Sequence, residues 1–218
     1  MLIASQVHAQ GSLPDRIGRV RDGVVRLQYE SRPGVCGDGK SMVSYHSAMF
    51  ARDFSGFGTR SDAHCVSGPV RVSLVMLGGR MTQSQTQIGG AWPSLGSPVT
   101  DMGVVGATEA ASYFFAHVGE MESINSRDRL PLPAVVADAN VMAPLLAVAR
   151  DDQRHLRTRR QEHAIFVISQ RDDDASVNAL MKIARDDADT KKRSKALFWL
   201  AQKHDPRATK LIGELVLK

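Results

Sequence analysis

Two apolar segments near the C-terminus of the chain repeat each other. Residues 164–170 read AIFVISQ, and residues 196–202 read ALFWLAQ, thirty-two positions later. The segments before them also repeat, because LLAVARDD at 145–152 returns as LMKIARDD at 180–187. A near-repeat at a period of about 30–35 residues is typical of stacked helical pairs. This pattern predicts a surface that holds a partner rather than a pocket that converts a substrate.

The spacing of apolar positions around these segments predicts alternating helices. Apolar residues at the helical spacing i, i+3, i+4 and i+7 recur and give each predicted helix one apolar stripe. The AIFVISQ and ALFWLAQ segments are apolar nearly all the way round, as expected for helices packed on both sides. We expect Phe166, Phe198 and Trp199 to contribute most to this helical core, and Asp205-Pro206 to begin the last helix. The stripes comprise Met142, Leu145, Leu146 and Ala149; Val177, Leu180, Met181 and Ala184; and Ala208, Leu211, Ile212 and Leu215.

The first half of the chain has the alternating pattern of strands instead. GVVRLQYES at 23–31 is rich in branched and aromatic residues, which favour a strand. VRVSLVML and RMTQSQTQI flank Gly78-Gly79, a two-residue loop that predicts a tight hairpin. We therefore expect a three- or four-stranded antiparallel sheet within residues 20–92. Residues 89–103 are rich in Gly and Pro and are expected to form a connection. The period of two places Val70, Val72, Leu74 and Met76 on one face of their strand.

These patterns together predict an α+β protein. A small antiparallel β-rich region is followed by a short α-solenoid of helical hairpins. The predicted division places an N-terminal segment at 1–19, the β-rich region at 20–103 and the helical repeats at 104–218. The clearest repeat units cover residues 155–187 and 188–218.

The last unit resembles a HEAT repeat of the short bacterial kind, related to the phycobilisome-lyase type. Residues 189–218 carry the pattern D-x-x-x-R-x-x-A-L-x-x-L followed by D-P-R-A, which runs from Asp189 to Ala208. The unit at 155–187 is more degenerate, with Asp173-Asp174-Ala175 where the other unit has Asp-Pro-Arg.

The resemblance extends upstream to bacterial HEAT-repeat proteins with a β-rich front half. It rests on RPGVCGDG (32–39), GPVRVSL (68–74), IGGAW (88–92) and LPAVVAD (132–138). It implies a solenoid and export through a signal peptide, and it implies no particular reaction. Such proteins tend to carry one more helical pair, so we expect a unit to be missing near 150–160.

Positive charge is concentrated on the predicted repeats. The net charge is +5, yet residues 1–144 hold 12 Lys+Arg against 12 Asp+Glu, whereas residues 145–218 hold 16 against 11. Two basic clusters precede equivalent helices, so stacking would bring them onto one edge that could meet an acidic protein or phosphate. Exposed aromatic residues are not interleaved, which weakens the case for single-stranded nucleic acid. The predicted basic edge comprises Arg154, Arg157, Arg159, Arg160, Lys191, Lys192, Arg193 and Lys195.

The two cysteines of the chain, Cys36 and Cys65, predict one disulfide in an exported protein. A metal site formed by these cysteines with His46 and His64 is the alternative. Adjacent His64 and Cys65 cannot easily reach the same ion, and no C-x-x-C spacing is present. We therefore expect no metal and no cofactor.

The first ten residues, MLIASQVHAQ, resemble the tail of a signal peptide. Val7 and Ala9 occupy the −3 and −1 positions for cleavage before Gln10, although the preceding segment is short and lacks a basic start. No apolar run approaches the ~20 residues of a membrane-spanning helix. We therefore expect a periplasmic or secreted protein without a membrane span.

The sequence contains no recognisable catalytic constellation. Its 7 histidines form no H-E-x-x-H cluster, and no G-x-S-x-G elbow is present. The predicted function is therefore a non-enzymatic scaffold whose groove or basic edge binds a protein partner. Two alternatives stay open: a cytoplasmic nucleic-acid-binding protein that uses the same basic edge, and a hydrolase built on the β region around His46 and His64.

Overall fold

A computed structural model describes residues 11–40, 43–45, 65–124, 130–150 and 158–216. The predicted cleavage site before Gln10 lies outside these residues, as do His46 and His64. In chain order the elements are α1 (Leu13–Gly18), β1 (Gly23–Tyr29), β2 (Val35–Gly37), β3 (Val43–Tyr45), β4 (Val70–Leu77), β5 (Arg80–Ile88), β6 (Val99–Val104), α2 (Ala107–Ala116), α3 (Val118–Ile124), α4 (Leu132–Val136), α5 (Met142–Arg150), α6 (Thr158–Ser169), α7 (Asp174–Asp186), α8 (Thr190–Gln202) and α9 (Pro206–Val216).

Four strands form one mixed sheet in the order β5-β4-β1-β6. Strand β4 pairs antiparallel with β5 and with β1, whereas β6 runs parallel to β1. The β4–β5 hairpin turns at Gly78 and Gly79, whose φ angles are 60° and 78°. The tight turn predicted from the Gly-Gly pair is therefore confirmed, because both positions need a positive φ. The predicted apolar face of β4 is also confirmed, since Val70, Val72, Leu74 and Met76 are all buried.

The prediction of an antiparallel β-rich region followed by an α-solenoid was wrong. Residues 89–103, expected to be a connection, contribute strand β6, which pairs Val24 of β1 with Val99 and Arg26 with Asp101. Strand β6 lies at the sheet edge, and Met102 is its one buried residue, so its sequence lacks the alternation that identifies a strand. The described residues contain a mixed four-stranded sheet and nine helices, which is an α+β class, and they do not show a solenoid.

One hydrophobic cluster joins the inner face of the sheet to the helices. The hydroxyl of Tyr29 on β1 donates a hydrogen bond to the carbonyl of Pro133 on α4, at 2.8 Å. Tyr29 is fully buried, and this burial raises the pKa of its hydroxyl well above the usual value. The backbone N–H of Leu13 donates to the Glu109 carboxylate at 2.7 Å, which fixes α1 against α2. The sheet and helices α1 to α4 therefore share one packed interior.

Helices α5 to α9 pack in neighbouring pairs. Helix α5 lies against α6, α7 lies against α8, and α6 also contacts α8. Aspartates begin the last three helices: Asp173 accepts from the Ser176 N–H at 2.7 Å, and Asp189 accepts from the Lys191 N–H at 2.8 Å. Asp205 accepts from the Arg207 N–H at 2.8 Å, so the predicted start of the last helix at Asp205-Pro206 is confirmed.

Candidate functional site

The residues predicted to form one basic edge have different surroundings in the structure. Arg160 on α6 and Lys192 on α8 are buried, with 8% and 5% of their surfaces exposed. Arg154 and Arg157 lie outside the described residues, and so does the side chain of Arg159.

Arg193 is engaged by the turn that precedes α8. Its Nη1 atom donates to the carbonyls of Asp187 and Ala188, at 2.8 and 3.1 Å. Its Nη2 atom donates to the Thr190 hydroxyl at 3.0 Å. The Arg193 guanidinium therefore stabilises the turn before α8. Of the four basic residues predicted on α8, Lys191 and Lys195 are the ones that line a groove.

The open groove on the outer side of α8 has a volume of about 380 Å³. Lys191, Lys195 and Phe198 have the spacing i, i+4 and i+7, which places them on one face of α8. Glu162 of α6 forms the opposite wall. The lining residues are Glu162, Thr190, Lys191, Ser194, Lys195 and Phe198.

Phe198 is the apolar feature of this groove, and 54% of its surface is exposed. Its ring meets the edge of the Trp199 ring, with centroids 4.9 Å apart and planes at 77°. Trp199 is itself buried between the helices and packs on Phe166. One side of the Phe198 ring therefore packs on a buried residue, and the rest of the ring is open to a partner.

The ammonium groups of Lys191 and Lys195 have no ion-pair partner in the described part of the chain, where the salt bridges involve Arg171, Lys203 and Arg207 instead. An anionic group entering the groove would therefore not have to displace an existing carboxylate. Sequence reasoning named both lysines but assigned Phe198 to the core. The spacing of 191, 195 and 198 was the signal that could have placed them together.

A second cavity, of about 460 Å³, lies where the α6–α7 and α8–α9 turns meet. Lys203 is buried there, and its Nζ atom donates a hydrogen bond to the carbonyl of Arg171 and lies 3.7 Å from Oδ1 of Asp172. Burial lowers the pKa of Lys203, while the charge of Asp172 acts in the opposite direction. The lining residues are Asp172, Asp173, Asp174, Val177, Gln202, Lys203, His204 and Asp205.

The carboxylates that line this acidic cavity form ion pairs with basic side chains of the protein. The Nη2 atom of Arg207 lies 2.6 Å from Oδ1 of Asp174 and 2.7 Å from Oδ2 of Asp205. The hydrogen bond from Arg207 is the main reason why the pKa of Asp205 is lowered to about 2. Among the described residues no cluster of histidine, cysteine, aspartate or glutamate is arranged to hold a metal. The ion pairs of Arg207 therefore hold the α6–α7 turn against the α8–α9 turn.

The outer face of the sheet carries a cluster of cation–π contacts and hydrogen bonds around Trp92, which the sequence did not predict. The ring of Trp92 lies between two guanidinium groups, 5.4 Å from that of Arg26 and 5.3 Å from that of Arg71. Arg26 also donates to the carbonyl of Pro93 at 2.8 Å, and Arg71 donates to the Gln28 side chain at 3.2 Å. These contacts secure the connection after β5 to the sheet through cation–π attraction and hydrogen bonds.

Cys36 and Cys65 form a disulfide, with their Cα atoms 5.3 Å apart. Beside it, the backbone groups of Gly37 and Val66 exchange hydrogen bonds of 2.8 and 3.0 Å. The side chain of Gln87 on β5 donates to the carbonyl of Gly39 at 3.2 Å. The disulfide and the backbone hydrogen bonds therefore join β2 to residues 65 and 66, and the Gln87 side chain attaches the segment after β2 to the four-stranded sheet.

Comparisons of the chain with protein-family models, with curated proteins and with solved structures found no match. No described helix is long and apolar enough to cross a membrane. The functional proposal therefore depends on the geometry of the α8 groove and on the chemistry of its lining.

Proposed function

We propose that this chain is a non-enzymatic protein-interaction module that binds its partner through the α8 groove. The observation that carries the proposal is the half-exposed ring of Phe198, which is supported from behind by Trp199 and flanked by Lys191 and Lys195. An aromatic anchor on a rigid base with a polar rim is the typical composition of a binding hot spot.

The proposal places the protein in an oxidising compartment, either periplasmic or secreted. The disulfide between Cys36 and Cys65 supports this location, because reducing cytoplasm does not maintain structural disulfides in most organisms. The resemblance of residues 1–10 to the tail of a signal peptide agrees with it.

The two alternative functions gain no support from the described residues. A nucleic-acid interface would need a continuous basic stripe, but Arg160 and Lys192 are buried and Arg193 is engaged by its own turn. A hydrolase around His46 and His64 would depend on residues that lie outside the described part.

A capture experiment with matched variants tests the proposal. Wild-type protein, Phe198→Ala and Leu77→Ala are immobilised and exposed to a periplasmic extract, and bound proteins are quantified. Leu77 is a control because it is another exposed large apolar residue, with 66% of its surface accessible, on the β4–β5 hairpin. We expect proteins that wild type and Leu77→Ala retain equally and that Phe198→Ala loses. Equal retention by all three proteins, or none above background, would contradict the proposal.

A further inference from the structure

The groove on α8 has features that restrict the chemistry of its partner. Phe198 follows Lys191 by seven positions on the helix, so the three residues Lys191, Lys195 and Phe198 cover roughly 10 Å along the axis. A partner that contacts all three must therefore present matching groups over about two helical turns or three to four extended residues. A short peptide segment is long enough to contact all three residues.

The charges in the groove are arranged with opposite signs on its two walls. Lys191 and Lys195 form the α8 wall, and Glu162 stands on the α6 wall. A partner carboxylate is attracted to the α8 wall and repelled from the α6 wall. The occupant must therefore be asymmetric, with its acidic side chains directed to α8 and its neutral or basic side directed to α6.

The apolar part of the occupant is located by Phe198. This ring follows Lys195 by three positions and is the large exposed hydrophobic residue of α8. An aliphatic or aromatic partner side chain placed on it would remove apolar surface from water on both molecules.

The acidic cavity of a second copy is a poorer occupant, because its carboxylates already pair with basic side chains of their own chain. Asp174 and Asp205 bind Arg207, and Asp172 lies beside Lys203. A continuous polyanion is also disfavoured, because the carboxylate of Glu162 lines the groove opposite the lysines and repels it.

From this arrangement we infer that the groove binds an acidic amphipathic segment of a partner protein, with its carboxylates facing Lys191 and Lys195 and an apolar side chain on Phe198. The inference rests on the proposed function and names the chemistry of the partner.

The test is a selection from a random peptide display library against the wild-type protein. The peptides enriched by wild type are then measured by fluorescence anisotropy on Phe198→Ala and on the double variant Lys191→Glu/Lys195→Glu. The double variant Lys182→Glu/Lys210→Glu is the matched control, because it reverses two exposed lysines on α7 and α9. Circular dichroism verifies that each variant keeps the wild-type fold.

We expect enriched peptides to be acidic and to carry a large apolar residue. Their affinity should fall about tenfold or more in both groove variants, because each removes a contact that the inference requires. It should stay within about twofold of wild type in the control, and raising the salt concentration should weaken it.

Two other results would separate a failure of this inference from a failure of the proposed function. Peptides that depend on Phe198 but have no acidic bias, or that bind Lys191→Glu/Lys195→Glu as well as wild type, would overturn the inference and leave the proposed function standing. A selection without any peptide that depends on Phe198 would overturn both.

Discussion

The rings of Phe166 on α6 and Trp199 on α8 pack against each other, with centroids 5.3 Å apart and planes inclined by 55°. In the sequence repeat, Phe166 corresponds to Phe198, and Val167 corresponds to Trp199. The structure thus gives the equivalent phenylalanines different surroundings. Phe166 is partly buried under Trp199, whereas Phe198 faces the groove.

Replacement of Trp199 by alanine should destabilise the protein by about 3–5 kcal/mol, because it removes a large buried ring between α6 and α8. Trp199→Phe should cost less, since an aromatic ring remains. Urea denaturation followed by circular dichroism measures both values. A loss below about 1 kcal/mol for Trp199→Ala would show that this contact contributes little to the core.

Loss of the disulfide should destabilise the protein by about 3–4 kcal/mol, because the Cys36–Cys65 bond closes a loop with a sequence separation of 29 residues. Cys36→Ser/Cys65→Ser and reduced wild type should show the same decrease in a denaturation experiment. Thiol titration should detect no reactive cysteine in unfolded wild type without reductant and two after reduction. Two reactive thiols before reduction would contradict the disulfide.

Gly90 should tolerate no side chain. Its φ angle is 72°, and a Cβ atom there would overlap the backbone of Gly39. Gly90→Ala should therefore cost more than the roughly 1–3 kcal/mol of a left-handed non-glycine residue.

Gly78→Ala is the matched control for this substitution. Gly78 has a φ of 60° but no atom within 4 Å of a built Cβ. Comparing the denaturation midpoints of the two variants isolates the steric contribution. Equal losses would mean that the Gly39–Gly90 contact opens without cost.

The stability contribution of Asp205 should depend on pH in the acid range. Hydrogen bonding from Arg207 lowers the pKa of Asp205 from 3.8 to about 2, so the folded state favours the carboxylate. Its stabilising effect is therefore complete above the ordinary pKa and is lost as the pH falls towards about 2.

Asp205→Asn tests this dependence, because asparagine keeps a capping side chain but cannot ionise. Wild type should be more stable than the variant near neutral pH, and the difference should narrow as the pH is lowered from about 6 to about 3. Denaturation at each pH provides the comparison. A constant difference would exclude ionisation of Asp205 as the cause.

The strands with strong local signals were predictable from the sequence. Gly78-Gly79 identified the hairpin, and the alternating residues of β4 identified its buried face. Strand β6 was missed because an edge strand with one buried residue has no periodic signal, and its parallel pairing with β1 depends on a distant segment.

The proposed binding surface was only partly predictable. The sequence predicts one edge from Lys191, Lys192, Arg193 and Lys195, but consecutive helical residues differ in direction by about 100°, so Lys191, Lys192 and Arg193 cannot share a face. The helical spacing groups Lys191 with Lys195 and Phe198, whereas the burial of Lys192, which the spacing does not give, removes that residue from the surface. The polar contacts around Trp92 could not be predicted, because they join residues from β1, β4 and the connection after β5.

The two adjacent aromatic residues of α8, Phe198 and Trp199, lie in different environments. Trp199 packs between α6 and α8 in the core. Positions 191, 195 and 198 line the groove on the outside of α8 and contribute little to core packing. Under the proposed function, substitutions at these outward positions should change the choice of partner while the fold is retained. A surface of this kind can diverge at little cost in the free energy of unfolding.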